Sequence, residues 1–463
     1  MSNKISRRSV LKSLGVLPFG LALGSSDVFA KYTVTEKKLE YKSLFRTTDK
    51  PSKKITVIVI GAGNRGKIYG GYAVDHPDEL DIIGVAEPIE IRRARYSEKH
   101  NIEKQNQFTT WEDVFKVKKF ADAVFITTPD YMHYGPAMKA LEMGYDVLLE
   151  KPIAQTWEEC KAILKMAKKH NNIVAICHVL RYAPYYVKIK EVIDSGILGR
   201  IVSVQHMEPI VQEHMAHSFV RGNWRNTEVA APILLAKSCH DLDILRWWLA
   251  KKCTAVSSFG ALTHFKKENA PVGSTNRCTD GCAVESTCPY SALRIYYRKR
   301  SYLHHFDLPT DAAMQGDAIM QNLKEGPYGR CVYHCDNNVL DHQVVSMQFE
   351  DEITANFNLE AFTHIGGRKT RIMGTMGMID GDGSVMEIAN FKTEEIVKWN
   401  VDDHYKNLSG HGGGDMALMK DFVMAIDKKD PSLLTSTLEV SMDSHYMGYM
   451  AESARVKKEI VNL

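Results

Sequence analysis

Three glycines, Gly61, Gly63 and Gly66, stand in G-x-G-x-x-G spacing directly after the apolar run Ile-Thr-Val-Ile-Val-Ile. That pattern serves phosphate binding. The first glycine permits a tight turn, the second lets backbone approach a pyrophosphate, and the third lets a helix pack against the strand. A helix opening at Asn64 and Arg65 would aim its N-terminus at the phosphates. A second apolar stretch, residues 80–86, ends in Glu87, 21 positions after Gly66. A carboxylate there accepts hydrogen bonds from both ribose hydroxyls and repels a 2′-phosphate, which favours NAD over NADP. Arg92, Arg93 and Arg95 lie close by and keep NADP open.

Three later stretches carry further chemistry: Thr127-Thr128-Pro129-Asp130 with His133, then Glu150-Lys151-Pro152, then His178 with Arg181 and Tyr182. Each follows an apolar run of strand length. A lysine between a carboxylate and a proline at a buried strand end calls for a chemical reason.

The elements that must position these groups alternate from about Lys53 to His178. Strands at 123–127, 146–150 and 173–178 join the first two, with helices expected over 88–100, 111–117, 131–144 and 157–170. Such alternation with short connections predicts right-handed crossovers and an α/β Rossmann fold, a doubly wound parallel sheet. Its ligand site lies at the carboxyl ends of the strands. With 463 residues, 44% hydrophobic and 25% charged, the chain can build two cored domains.

The expected divisions are 1–30, 31–52, 53–180 and 181–463. Within the first, Ser6-Arg7-Arg8-Ser9-Val10-Leu11-Lys12 resembles a twin-arginine export signal. The apolar stretch after it is broken by Gly15, Pro18, Gly20 and Gly24, and Val28-Phe29-Ala30 supplies a small-residue cleavage site. The stretch is too interrupted for a membrane span. Residues 1–30 carry a net +3, the whole of the formal charge, so the exported chain is near neutral and offers no basic surface for nucleic acid. A periplasmic protein exported folded would carry its nucleotide with it. Residues 31–52 read as a linker or surface arm.

Beyond Tyr182 the pattern predicts an α+β domain. Expected are helices at 186–195, 240–249, 416–426 and 438–456, and alternating strands at 201–207, 344–349, 353–359 and 371–373, as for a mainly antiparallel sheet with one open face. The stretch with His214, His217, Arg221, Trp224 and Arg225 combines rings and cations, which suits a carbohydrate. Five of nine cysteines, Cys278, Cys282, Cys288, Cys331 and Cys335, crowd an insertion over 270–340. They read as a thiolate metal site using Cys278, Cys282, Cys288 and Cys335, with His334 or His342 as a further ligand, or as disulfides or free thiols. Cys288-Pro289 adds an iron–sulfur reading.

The glycine loop, Thr128-Pro129 with His133, Glu150-Lys151-Pro152, and His240 within Cys-His-Asp-Leu-Asp together resemble the Gfo/Idh/MocA family of sugar oxidoreductases. The resemblance implies that Lys151 contacts the substrate hydroxyl and nicotinamide ribose, that His240 is the acid/base, and that the open sheet of the second domain mediates a homo-oligomer. It also puts His411, in a glycine turn, near the substrate. Arg181, Tyr182 and His133 are expected to help shape the pocket, with Trp224 as a substrate contact. Many members have an acid four residues before the histidine. Here Ala236 stands at that position, and Lys237 beside it is a candidate replacement. The implied activity is NAD-dependent oxidation of a secondary alcohol of a sugar or glycoside. Alternatives are a redox-neutral glycoside hydrolase and a non-enzymatic sugar sensor; Lys151 and His240 together weigh against the sensor.

Overall fold

The computed structural model describes residues 33–35 and 43–463; the expected export signal, residues 1–30, lies outside the described residues. Strand β1 (Thr33–Thr35), within the expected linker, pairs in parallel with the far edge of the second sheet. The first sheet comprises β2 (Ile55–Ile60), β3 (Leu80–Ala86), β4 (Gln107–Phe108), β5 (Ala123–Ile126), β6 (Asp146–Leu149) and β7 (Val174–Ile176). Its order is β4-β3-β2-β5-β6-β7 and every pairing is parallel. Direction reverses at β2, so the glycine loop leaves the sheet at its topological switch point. The nearly uninterrupted aliphatics of β2 and β5 are what a strand covered on both faces requires, and both are almost wholly buried.

The cover comes from helices Asn64–Asp75, Glu90–Lys99, Tyr134–Glu142 and Trp157–His170. The last begins in a reciprocal Thr156/Glu159 capping box and ends at Asn171 in the left-handed region. One face also receives a helix from far along the chain. Gly414–Lys428 places Leu418, Phe422 and Val423 against Val57, Val59 and Phe125.

The second sheet contains β8 (Ile201–Val211), β9 (Cys253–Ala261), β10 (His342–Phe349), β11 (Thr354–Thr363), β12 (Lys369–Gly374), β13 (Gly377–Gly381), β14 (Val385–Asn390), β15 (Glu395–Asn400) and β16 (Val461–Asn462). With β1 the order is β1-β15-β14-β13-β12-β8-β11-β10-β9-β16, antiparallel apart from β1 with β15 and β8 with β11. One face packs on helices Pro184–Asp194 and Cys239–Leu249. The other presents Ser203, Gln205, Ser257, Ser346, Gln348 and Asn356 along an open, polar surface, which is the alternation seen in β10 and β11. Strands β9 and β13–β15 have no counterpart in the sequence reading, because they are short, Gly- and Ser-bearing or rich in polar residues, and draw stability from neighbours. Among the described residues no helix is long and apolar enough to cross a membrane.

Between β9 and β10 lies the insertion. It has a small core of its own, Ala292, Ile295, Tyr296, Phe306, Ile319 and Leu323, and is pinned by Arg221, which donates to the carbonyls of Arg330 (2.7 Å) and Tyr290 (2.7 Å).

Candidate active site

Each glycine of the loop has a separate physical cause. Gly61 holds φ +97°, and a Cβ on Gly66 would lie 2.2 Å from the Gly61 carbonyl oxygen, so helix and turn meet only without side chains. Around Gly63 nothing stands within 4 Å of where a Cβ would be. That gap, the start of helix Asn64–Asp75 with no acidic residue in its first turn, and the buried Glu87 together fit a dinucleotide. Glu87 accepts the Ala62 N–H (2.9 Å) and the Ile89 N–H (3.0 Å), which fixes the carboxylate beside the loop while leaving lone pairs for hydroxyl donors.

Next to the loop the strand ends converge on a charged cluster. Arg65 Nε donates to Glu150 (2.5 Å) and Arg65 Nη2 to Asp415 (2.6 Å), and the Tyr69 hydroxyl donates to Glu150 (2.7 Å). Asp415 contacts His411 Nδ1 at 3.1 Å. Burial alone would raise the Asp415 carboxyl; the His411 contact and the Arg65 charge outweigh it and bring it down to about 2. Lys151 Nζ donates to the Ala236 carbonyl at 2.5 Å. The position without the usual acid therefore still meets the lysine, through its backbone.

His240 completes the group. Its ring centroid is 5.6 Å from that of His411 and 6.1 Å from that of His178, and its Nδ1 is buried without a hydrogen-bond partner. Burial, then the positive surroundings of Lys151 and His411, holds it well below the usual histidine value, so its imidazole is neutral and able to accept a proton. His411 is partly exposed and marks the mouth of the pocket. His214, whose value burial and then Lys237 push down to about 4, is a second neutral imidazole on this side.

Behind His240 the structure ties the first turns of its helix to both sheets. Asp241 meets Arg368 Nε (2.5 Å) and His206 Nε2 (2.9 Å), and Arg368 also meets Glu208 (2.8 Å). Asp243 takes two hydrogen bonds from Arg181 (2.6 and 2.7 Å) and lies 2.7 Å from His178 Nδ1. Burial opposes ionisation of both carboxyls, and the Arg368 and Arg181 charges overcome it.

Several expectations change in this light. Arg181 is buried against Asp243 and the Thr435 carbonyl (2.7 Å), and Tyr182 is buried with its hydroxyl on Ser436 (2.9 Å); both position the pocket's frame in place of lining it. Lys237 is ion-paired with Glu208 at 2.9 Å, which uses its charge within the network. His133 is fully buried, with its ring nitrogens 2.6 Å from the Pro152 carbonyl oxygen and 3.0 Å from that of Thr128; it ties Thr128-Pro129 to the Glu150-Lys151-Pro152 turn. Trp224 donates its indole N–H to Asp130 (3.1 Å) and so spans the cleft. Asp415, Asp241, Asp243, Glu208 and Arg368 are not among the site residues expected from sequence; Asp241 and Asp243 stand within Cys-His-Asp-Leu-Asp and Asp415 ends a glycine run, whereas Glu208 and Arg368 have no local signal.

The expected metal set also changes. Cys278, Cys282, Cys288 and Cys331, with Arg221, line one small cavity, and Cys335 does not. Cys335 Sγ instead donates to the Cys331 carbonyl at 3.2 Å. Among the described residues no group of three or more His, Cys, Asp or Glu could hold a metal ion, and the nine cysteines are free thiols. Cys278 Sγ accepts the Ala292 N–H (3.4 Å), so this sulfur acts within the packing of the insertion.

Comparison with known proteins agrees with this geometry. A family model of the Gfo/Idh/MocA oxidoreductases, NAD-binding Rossmann fold, matches residues 55–178, and the model of their C-terminal alpha/beta domain matches residues 190–460. Over 338 residues the chain is 25% identical to YteT of Bacillus subtilis (strain 168), named as an oxidoreductase; this covers 69% of this chain and 75% of that protein. It is 26% identical over 211 residues to scyllo-inositol 2-dehydrogenase (NAD(+)) of the same organism, covering 45% of this chain and 58%, less than two thirds, of the relative. Levoglucosan dehydrogenase in complex with NADH has the same fold, with a TM-score of 0.65 at 17% identity over 89% of this chain and 99% of that one.

Proposed function

The chain belongs to the Gfo/Idh/MocA oxidoreductase family, and from that premise we propose that it is an NAD-dependent dehydrogenase of a secondary alcohol on a sugar or glycoside. The dinucleotide portion is taken as 53–180 and the substrate portion as 181–463. The observation that carries the proposal is that Lys151, on the Ala236 carbonyl, and His240, against His411, are drawn into one cluster that runs through Asp415 to Arg65 of the glycine loop. When bound, the nicotinamide supplies hydride acceptance at the carbinol carbon. His240 takes the hydroxyl proton and gives it back in the return direction. The Lys151 ammonium, held by the Ala236 carbonyl, stabilises the developing alkoxide. Arg65 is shared between Glu150 and Asp415, which holds both carboxylates in place beside that cation. Glu87 selects NAD over NADP through its ribose contacts.

The inositol and levoglucosan dehydrogenases among its relatives and structural neighbours support a polyhydroxylated ring as substrate. We also propose export through residues 1–30, and a homo-oligomer formed on the open face of the second sheet. A second reading, redox-neutral glycoside cleavage by oxidation, elimination and re-reduction, is favoured by the insertion reaching across the cofactor side of the cleft, which suits a nucleotide that stays bound between half-reactions.

The test uses the full chain with NAD and a panel of cyclic polyols, sugars and glycosides, following nicotinamide absorbance and products with and without an external acceptor. Net reduction that stops until acceptor is added supports the dehydrogenase. Continued release of free sugar without net reduction transfers the assignment to the redox-neutral cycle, and no reaction with any of the panel overturns both.

A further inference from the structure

The insertion does more than pack on its own core. Residues 299–308 cross from the second sheet's side of the cleft to the dinucleotide side. At one end Lys299 pairs with Glu213, and Tyr302 stacks on His217 with ring centroids 4.5 Å apart. At the other, both carboxylate oxygens of Asp307 lie 2.8 Å from Arg92 Nε, with Arg92 Nη2 2.7 Å from Oδ2. Arg95 Nη2 donates to the Leu308 carbonyl at 3.0 Å. Arg92 and Arg95 belong to helix Glu90–Lys99, which starts just after Glu87.

We propose that Asp307 is a determinant of dinucleotide choice and release, because it neutralises Arg92, on the helix that starts just after the ribose-binding acid, and straps the insertion across the cofactor groove. This rests on the dinucleotide reading above. A 2′-phosphate needs a cation at that end of the groove. All three arginines there are engaged, but in different ways. Arg93 and Arg95 donate to carbonyls, of Glu87 (2.5 Å) and Leu308, contacts that bring no opposing full charge. Among the described residues, Arg92 is the one of the three matched by a carboxylate in fork geometry, which is the stronger and more directional contact. Asp307 holds a left-handed backbone, φ +49°, a conformation that aspartate tolerates better than most L residues.

The experiment measures NAD and NADP dissociation constants and the NADH release rate for the full chain, alongside Asp307→Ala, Asp307→Glu and Arg92→Ala. Asp307→Ala is expected to shift the NADP-to-NAD preference toward NADP about tenfold, as one charge-assisted fork is lost, and to speed NADH release severalfold. Asp307→Glu should restore both. Arg92→Ala should release NADH faster without gaining NADP, which separates the strap from the charge. Unchanged preference and release in Asp307→Ala overturn the role of Asp307 while leaving NAD binding by the parent chain intact. A parent chain that binds neither nucleotide overturns the dinucleotide reading itself, and this role with it.

Discussion

The two ends of the cleft are built by opposite means. At the cofactor end, the loop 61–66 is shaped by backbone: a positive φ at Gly61, helix contact at Gly66 and open space at Gly63. At the substrate end, His240 is held by side-chain charges, with Asp241, Arg368, Glu208, Lys237, Asp243 and Arg181 drawn from five separate stretches of chain. A site made of backbone needs only short-range sequence. A site made of buried charges works only if every partner is present, because an unpaired ion in the interior costs far more than the pair contributes. The first tolerates change around it; the second fails as a unit.

That contrast can be broken or sharpened in three ways. The largest effect is expected at His240 itself. His240→Gln should lower kcat by about 10²–10⁴-fold with circular dichroism and nucleotide affinity unchanged. Because the folded histidine is held well below its usual 6.5, the base is lost only as pH falls through that lowered value. The acid limb of kcat/KM in the parent chain should therefore lie below pH 6.5, and a limb at or above it would remove His240 as base.

Next is the charged frame. Arg368→Met leaves Asp241 and Glu208 buried without their shared cation, and denaturant unfolding should show a loss of about 3–5 kcal/mol. A loss near zero would mean that water or Lys237 compensates and that the frame is not a unit. The smallest global effect is expected at the backbone-built end. Gly66→Ala sets a methyl against the Gly61 carbonyl, so NAD affinity should fall about tenfold or more while unfolding shifts by about 1–3 kcal/mol. Equal damage to stability from Gly66→Ala and Arg368→Met would erase the distinction between the two ends.

Legibility follows the same division. Gly61, Gly63, Gly66, Glu87, Lys151 and His240 stand in short motifs, and the Rossmann order and the α+β second half were readable because apolar periodicity is local. The roles expected of Arg181, Tyr182 and Lys237 differ from what the structure shows, since the chain composition near a residue does not reveal that Asp243, Ser436 or Glu208 will arrive beside it. The cysteines differ for the same reason: spacing brought Cys335 into the set, and folding lines the cavity with Cys331 instead.

The sequence by itself determined the parallel sheet, through the alternation of apolar strand and helix segments, and the phosphate-binding turn and the placing of a lysine before a proline at a strand end, which depend on residues within a few positions of one another. Only the tertiary structure decided that helix Gly414–Lys428 would cover the first sheet, that Asp415 would reach Arg65, and that Asp307 would meet Arg92 across more than two hundred residues. Those contacts join segments whose encounter depends on how two sheets dock, and a charge far along the chain carries no record of its partner until burial forces the two together.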